Sequence, residues 1–187
     1  MGKEPKREIY DYLTKITPNI GAFCTALNFS PRERQKEFLD SFTRCPESTD
    51  IEWDRGEGRT TATVVASLWW LLKNTQGRCL VVCPTLNQSI HIWLTECKKI
   101  LEKADPRLSS FYTLRKTGAG LFGEQKHVWG LSTISARSVA GFQGICAEKL
   151  LIVCDEYQGI KQDVMATIQD YQKYGGVVLR TIPTQNR

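Results

Sequence analysis

The stretch Leu150-Leu151-Ile152-Val153-Cys154-Asp155-Glu156 decides the fold class of this chain. Four large apolar residues and a cysteine follow one another without polar alternation, and the run has the length of a strand. Such a run is typical of a strand that is buried on both faces of a parallel sheet. Two acids follow directly, so we expect this strand to end at a polar edge of the sheet.

The rest of the sequence alternates strand and helix patterns around that stretch. A second buried strand is predicted at Cys79–Cys83, and further strands at 50–53, 127–134 and 177–182. Helices are predicted between them, at 5–17, 30–45, 59–74, 87–103 and 162–174. This alternation favours an α/β domain of three layers, with a mostly parallel central sheet and functional residues at the carboxyl ends of its strands.

Several local signals place the ends of these helices. Ser30, Pro31 and Glu33 form a helix start, with Ser30 as the cap and Glu33 completing a capping box. The helix at 59–74 is apolar nearly all round, so we expect it to be central, with Gly77 after it. The helix at 87–103 has the most regular amphipathic spacing. The pattern predicts no element at 104–126.

Composition limits the classes of protein that fit. The chain has 187 residues, 41% hydrophobic and 24% charged, which suits one soluble α/β domain. A net charge of +5 is compatible with a phosphate-bearing partner. Seven scattered cysteines without a second pair or a His cluster are expected to be reduced and mostly buried. No apolar run is long enough to span a membrane.

A glycine-bearing turn between a strand and a helix is the first chemical signal. The segment Arg55-Gly56-Glu57-Gly58-Arg59-Thr60-Thr61, called here the phosphate loop, has the context of a phosphate-binding loop. Glycines let backbone N–H groups approach phosphates, and Thr60 is expected to place its hydroxyl on Mg²⁺. The loop departs from the usual pattern in two ways, because Trp53 takes the place of the first glycine and Arg59 that of the lysine.

The acid pair, Asp155 and Glu156, is the second signal. Asp155 is expected to hold Mg²⁺ as an oxygen ligand. Glu156 is expected to orient and deprotonate an attacking water. Together the two signals predict a P-loop NTPase domain of the RecA/ASCE-like type with ATP and Mg²⁺ as its ligands, provided that the phosphate loop and the acid pair meet around one triphosphate.

Three weaker signals accompany these two. Gln35 lies upstream on the helix at 30–45, where motor ATPases often read the adenine edge, although an exposed helix glutamine fits equally well. Thr181 and Thr184 follow the last strand, where such enzymes sense the γ-phosphate, or where a strand simply leaves the sheet. Gly118-Ala119-Gly120-Leu121-Phe122-Gly123 matches the dinucleotide fingerprint by letter, but without the strand and helix that motif needs we interpret it as a loop.

These motifs in this order resemble the ATPase domain of the large terminase subunits of tailed phages and related viruses, over residues 30–187. The resemblance rests on Gln35, the phosphate loop, Cys83-Pro84-Thr85 with Gln88, Gly141-Phe142-Gln143-Gly144, the acidic strand and Thr181-Ile182-Pro183-Thr184. It implies residues 1–29 as an N-terminal helical extension and 30–187 as the P-loop ATPase domain, with the C-terminal nuclease domain of the family absent from this chain.

The resemblance also implies roles for individual residues. Gln35 would belong to the adenine motif, and the phosphate loop would bind the nucleotide, with Arg55 as an arginine finger on the γ-phosphate. Asp155 and Glu156 would be metal holder and catalytic carboxylate, and residues 181–184 the coupling motif. Terminases drive double-stranded DNA into a procapsid as a ring on the portal, with a small terminase subunit, in the cytoplasm of the infected host cell.

Two alternatives stay open at this level. The sequence Asp155-Glu156-Tyr157-Gln158 also fits the first motor domain of a DNA helicase, which would need a second motor domain. Arg59 in place of lysine permits a catalytically weakened nucleotide-binding scaffold. Arg115, Lys116 and Arg137 are candidate DNA contacts or ordinary solvated charges.

Overall fold

A seven-stranded sheet forms the centre of the molecule. The computed structural model describes residues 4–54, 56–74, 76–121, 130–145 and 147–183. The strands are β1 (Thr49–Trp53), β2 (Arg78–Cys83), β3 (Tyr112–Arg115), β4 (Gly118–Leu121), β5 (Gly130–Ser135), β6 (Leu150–Cys154) and β7 (Val177–Pro183). Their spatial order is β1-β7-β6-β2-β5-β4-β3. In this spatial order, the neighbouring strands β1, β7, β6, β2 and β5 pair in parallel. Strands β4 and β3 add an antiparallel edge. This arrangement confirms the predicted α/β class.

Helices cover both faces of this sheet. They are α1 (Glu4–Ile16), α2 (Ile20–Ala26), α3 (Glu33–Arg44), α4 (Arg59–Lys73), α5 (Leu86–Gln88), α6 (Thr95–Lys103), α7 (Pro106–Ser109) and α8 (Gln162–Lys173). A π-helical segment, Ser89–Leu94, joins α5 to α6, and two short 3-10 segments lie at Val139–Phe142 and Tyr157–Gly159. None of the helices within the described residues is both long and apolar enough to cross a bilayer.

The side chains of the central strands alternate between two apolar layers. On β6, Leu151 and Val153 join the cluster that contains α4, while Leu150 and Ile152 join the cluster that contains α8. This alternation of buried residues explains why β6 is apolar throughout, since both of its faces are covered. Helix α4 is buried at every residue from 62 to 72, as its uniform apolar sequence predicts.

The two N-terminal helices pack on the same layer as α4. Phe23 and Leu27 are buried in that cluster, and the indole nitrogen of Trp69 donates a hydrogen bond to the carbonyl of Thr17 at 2.9 Å. The division of the chain at residue 29 stays a prediction, although the buried side chains of α1 and α2 belong to one continuous core with those of α3 and α4.

The prediction of one regular α-helix at 87–103 is wrong for the middle of that range. The backbone changes from α5 to a π-helical turn over Ser89–Leu94 and then to α6. Trp93 is fully buried there, and its indole nitrogen lies 3.4 Å from Thr63 Oγ1 as a hydrogen-bond donor. Apolar residues at three- and four-residue steps do not reveal the longer turn, because a π-bulge adds one residue without removing the buried stripe.

The glycine-rich segment that we interpreted as a loop is partly a strand. Residues 118–121 form β4, which pairs with both β3 and β5, while 122 and 123 lie outside the described residues. A Cβ on Gly118 would collide with the carbonyl of Leu131, so glycine permits a close approach of two backbones. The neighbouring strands supply the pairing that local sequence does not show, and α7 and β3 arise in the same region, where the pattern predicted no element.

Smaller differences concern helix ends and cysteines. Helix α3 begins at Glu33 with Arg32 as its cap, and Gln35 instead of Glu33 closes the box by accepting from the Arg32 N–H at 2.9 Å. Helix α4 ends at Lys73, before Gly77. The six cysteines within the described residues are free thiols, five of them buried and Cys45 exposed. The seventh, Cys146, lies outside the described residues.

Candidate active site

A cleft opens where β1, β6 and β7 end, on the edge that the sequence predicts for function. Its volume is about 650 Å³. Residues of the phosphate loop line one side and residues that follow β6 line the other: Asp54, Gly56, Gly58, Arg59, Thr60, Glu156, Gln158 and Gly159. The structure thus brings the phosphate loop and Glu156 together in one cleft, with the buried Asp155 next to Glu156 in the chain.

Two glycines give the phosphate loop its shape. Gly56 and Gly58 have φ angles of +85° and +79°, in the left-handed region that other residues adopt only at a cost. Gly58 is the N-cap of α4 and makes no side-chain capping bond, so the first N–H groups of this helix carry the partial positive charge of a helix start. This arrangement suits a phosphate group at the start of α4.

Helix α3 fixes the outer half of the loop through an arginine. Arg34 donates to the Glu57 carboxylate at 3.0 Å and to the carbonyl of Glu52 at 2.7 Å. The same Glu57 oxygen accepts from the Asp54 N–H at 2.8 Å. The Glu57 side chain, expected at the nucleotide, thus makes contacts within the turn that leaves β1. Sequence reasoning missed Arg34, because only the fold brings α3 beside β1.

Two further bonds from α3 reach the loop backbone. Arg32 donates to the carbonyl of Gly56 at 2.8 Å, and Gln35 Nε2 donates to the carbonyl of Gly58 at 2.9 Å. Gln35 is buried, with 3% of its surface exposed. The expected adenine-motif residue therefore lies directly against the phosphate loop.

The acid pair is held by one buried threonine from β7. Asp155 is buried, and its Oδ1 accepts a hydrogen bond from Thr181 Oγ1 at 2.8 Å. The same Thr181 oxygen accepts from the Glu156 N–H at 3.0 Å. Glu156 adopts φ +55°, an uncommon conformation for a residue with a side chain. Thr181 therefore stabilises the turn that presents both carboxylates.

Arg59 approaches the acid pair from the phosphate loop. Its Nε lies 4.0 Å from Asp155 Oδ1, is buried, and has no hydrogen-bond partner. Burial raises the pKa of Asp155 above its ordinary value, as does the Glu156 carboxylate, while the Thr181 hydroxyl and Arg59 lower it. A buried donor without an acceptor is unusual. The Asp155 carboxylate, 4.0 Å away, is an ion-pair partner for Arg59 but is too distant for a hydrogen bond.

Glu156 has a polar partner that the sequence did not assign. Its Oε2 accepts from Gln88 Nε2 at 2.9 Å. The side-chain oxygen of the same residue, Gln88 Oε1, accepts from the Thr85 N–H at 3.1 Å. The signal was present in the sequence, since Thr85 and Gln88 belong to the motif after β2 that supports the resemblance. The contact itself follows only from the pairing of β2 with β6.

Thr60 and Thr61, the two threonines of the phosphate loop, lie in different surroundings. Thr60 lines the cleft, where its expected role as a Mg²⁺ ligand places it. Thr61 instead donates from its hydroxyl to Glu96 Oε1 of helix α6 at 2.7 Å. Thr61 therefore links the phosphate loop to α6.

Two expected site residues, Arg55 and Thr184, lie outside the described residues. Their predicted roles as arginine finger and part of the coupling motif stay predictions. No cluster of three or more His, Cys, Asp or Glu residues able to hold a metal occurs among the residues that the structure describes. An Mg²⁺ ion that binds through one or two carboxylates and phosphate oxygens does not need such a cluster.

Comparisons of the whole chain support the fold. No protein-family model matches the sequence, and no curated protein matches it significantly. The structure is similar to the large terminase ATPase domain of Thermus phage P74-26, with a TM-score of 0.60 and 13% identity over 88% of this chain and 69% of that one. A mutant of that domain gives the same TM-score and identity, over 88% and 70% of the two chains.

A third solved structure extends the comparison to a longer chain. The large terminase of a thermophilic bacteriophage matches with a TM-score of 0.57 and 13% identity, over 81% of this chain and 38% of that one. The chain therefore spans about two fifths of the length of that terminase. These likenesses confirm the predicted fold, which is that of a large terminase ATPase domain.

Proposed function

We propose that this chain is the ATP-binding and ATP-hydrolysing motor domain of a large terminase subunit. The observation that carries the proposal is the approach of Arg59 to Asp155, because it brings the phosphate loop and the acid pair together beside one cleft. The likeness to terminase ATPase domains supports the same activity. Each part of the cleft has a chemical role in such a reaction.

The phosphate loop provides groups that bind a triphosphate. The left-handed glycines expose backbone at the start of α4, where helix N–H groups favour an anion. Arg59 lines the cleft, and its guanidinium would donate to a phosphate oxygen. Thr60 provides a hydroxyl within the cleft. These residues fit a bound phosphate chain.

The acid pair provides oxygen ligands and a base. Asp155 presents a buried carboxylate at the end of β6, beside Arg59, and Thr60 lines the cleft, so Asp155 and Thr60 would hold Mg²⁺. Mg²⁺ neutralises charge on phosphate oxygens when it is bound. Glu156 lines the cleft beside Asp155, and its carboxylate would take the proton of the attacking water.

The wider role of the domain is part of the same proposal. The motor would translocate double-stranded DNA into a procapsid, working as a homo-oligomeric ring with the portal and the small terminase subunit in the cytoplasm of the infected host cell. The similarity to phage large terminases supports this role. Arg55 as the finger and residues 181–184 as the coupling motif belong to this part of the proposal.

Phosphate release from ATP with Mg²⁺ tests the activity. We expect weak turnover for the wild type, equal or higher turnover for Arg59→Lys, and a loss on the order of a hundredfold for Glu156→Gln, because that variant lacks the base. Glu148→Gln is the matched control, since it makes the same change at an exposed acid just before β6. Equal rates in the wild type and Glu156→Gln would exclude the hydrolytic role.

A catalytically weakened nucleotide-binding domain is the second candidate. Two observations favour it: arginine occupies the usual lysine position, and the Glu156 carboxylate is bound to Gln88 at 2.9 Å. In this case the wild type binds ATP without releasing phosphate, and Arg59→Lys restores no turnover. The same assay, run beside a binding measurement, separates the two candidates.

A further inference from the structure

The segment that leads from β2 into α6 contacts both sides of the cleft. Gln88, near its start, donates to the Glu156 carboxylate at 2.9 Å. Glu96, further along the same segment, accepts from the Thr61 hydroxyl of the phosphate loop at 2.7 Å. One continuous piece of backbone therefore reaches the carboxylate proposed as the base and the loop proposed to bind phosphate.

The π-helical turn explains how one segment reaches both places. A π-helical turn brings residues five apart onto one side, whereas an α-helix does so for residues four apart. Trp93, five residues after Gln88, is fully buried, while Ile92, four residues after it, is 51% exposed. The longer turn therefore gives Trp93 the place that Ile92 would take in a regular helix, and α6 continues from there along α4.

Two side chains of this segment hold the first turns of α4. Glu96 holds the hydroxyl of Thr61, as described above. Trp93 Nε1 donates to Thr63 Oγ1 at 3.4 Å, and the Thr63 hydroxyl donates to the carbonyl of Thr60 at 3.0 Å. The backbone of Thr60 is thus fixed through its own carbonyl and through the residue that follows it.

The phosphate loop is supported from two different helices. The bonds from α3 reach the carbonyls of Gly56 and Gly58. The bond from α6 reaches Thr61. Arg59 and Thr60, the residues proposed to contact a phosphate oxygen and Mg²⁺, lie between these two supports in the chain. Loss of the α6 support would therefore free one end of the segment that carries both groups.

The charge of Glu96 works against an anionic ligand. A carboxylate bonded to the phosphate loop repels a triphosphate. Lys99 Nζ lies 3.9 Å from Glu96 Oε2, but the lysine side chain is 64% exposed, so it offsets that charge only in part. Removing Glu96 strengthens nucleotide binding if its charge is the main effect, and weakens binding if its bond to Thr61 is the main effect.

We propose that Glu96 is a positioning residue for nucleotide binding, and that its bond to the Thr61 hydroxyl holds the first turn of α4 in the geometry that presents Arg59 and Thr60 to the triphosphate. This inference rests on the proposed function. Glu96 contacts no reacting atom and acts through Thr61. The bond engages only the hydroxyl of Thr61, so the backbone N–H groups at the start of α4 take no part in it.

A double-mutant cycle on Glu96 and Thr61 tests the proposal. The proteins are the wild type, Glu96→Ala, Thr61→Val and the double variant. The measurement is the dissociation constant of a non-hydrolysable ATP analogue with Mg²⁺, by calorimetric titration. Glu96→Gln removes the charge but keeps a side-chain oxygen that accepts from Thr61. Glu102→Ala is the matched control, because it removes another acid of α6 that also has a lysine partner.

We expect Glu96→Ala and Thr61→Val each to bind the analogue about tenfold more weakly than the wild type. The double variant should bind no more weakly than either single variant, because both changes remove the same bond. Glu96→Gln should recover most of the loss, and Glu102→Ala should bind as the wild type. Thermal unfolding of each variant gives a temperature at which all are folded, where a change in stability alone leaves these constants unchanged.

Three results would overturn the inference. One is a Glu96→Ala protein that binds as tightly as the wild type or more tightly, since the charge is then the larger effect. Another is a double variant whose loss equals the sum of the two single losses. The third needs no change at Glu96: Thr61→Ser keeps the hydroxyl, and a folded Thr61→Val that binds as tightly as Thr61→Ser excludes the bond.

Failure of the proposed function has a different signature. In that case the wild type itself does not bind the analogue, which overturns the proposed function together with this inference. A wild type that binds, beside a Glu96→Ala protein that binds equally well, overturns the inference alone.

Discussion

Replacing Thr181 by valine tests the buried link between β7 and the acid pair. Valine has nearly the shape of threonine but no hydroxyl, so the variant removes the donor to Asp155 Oδ1 and the acceptor for the Glu156 N–H. Thr181 is fully buried, so water does not replace either bond. We expect a lower free energy of unfolding and a less well ordered acid pair.

The size of the loss follows from the two bonds. The bond to a carboxylate is worth about 1.5–3 kcal/mol, and the part-buried bond from the Glu156 N–H adds about 0.5–1.5 kcal/mol. The added methyl group recovers about 0.8 kcal/mol through burial. The net loss is about 2.5 kcal/mol, which lowers the melting temperature of a domain of this size by about 5–10 °C.

The loss also depends on pH in a defined direction. Burial already raises the pKa of Asp155 above its ordinary value of 3.8, so the folded state holds this proton more tightly than the unfolded state. Asp155 therefore costs stability as pH rises through the window above 3.8. Because the Thr181 bond lowers this pKa, Thr181→Val raises it further, and the variant loses most at neutral pH and less as pH falls toward 4.

Urea unfolding followed by circular dichroism at pH 7 and at pH 4.5 measures both effects. Thr181→Ser is the control, because it keeps the hydroxyl and loses one methyl group, at a cost of about 1 kcal/mol. If the valine and serine variants lose the same free energy at pH 7, the hydroxyl bonds do not hold the acid pair. A valine loss that is equal at both pH values would refute the argument about Asp155.

Two further predictions concern a loop glycine and a surface ion pair. Gly58→Ala should weaken nucleotide binding in a titration more than Gly56→Ala, because both positions have a positive φ but only the Cβ at 58 meets a neighbour, the Gln35 amide. The hydrogen bond from Arg107 is the main cause that lowers the pKa of Asp105 to about 2. The ion pair therefore stabilises the folded state above pH 3.8, the ordinary pKa of the group, and this stabilisation is lost as pH falls toward 2. Thermal melts should therefore show Asp105→Asn less stable than the wild type at pH 7, with a difference that closes in acid; a constant difference would exclude the ion pair as its cause.

The strongly patterned elements could be predicted from sequence, since burial alone dictates them. Strand β6 is apolar throughout, and α4 is mostly apolar over residues 62–72, because these residues are covered on every side. The π-helical segment could not be predicted in the same way. It is distinguished from a regular helix by backbone hydrogen bonds that span one more residue, and the apolar spacing of the side chains does not show that difference.

The candidate site shows the same division between local and distant signals. The phosphate loop and the acid pair were visible as motifs, because each lies at a strand end with its own residue types. Their partners Arg34, Gln88 and Thr181 lie far away in sequence, and their contacts depend on which strands pair. Thr181 was expected near the γ-phosphate, which stays a prediction, and its hydroxyl is hydrogen-bonded to the Asp155 carboxylate and to the N–H of Glu156.

The pairing of β7 with β1 and β6 limits the insertions and deletions that this part of the sequence can accept. Thr181 faces the same layer as Leu179, and Ile51 of β1 stands opposite it in register. A single inserted or deleted codon between 177 and 181 would turn the threonine to the other layer. Alignment gaps among remote homologues should therefore avoid this strand, even where nearly every amino acid in it has been exchanged.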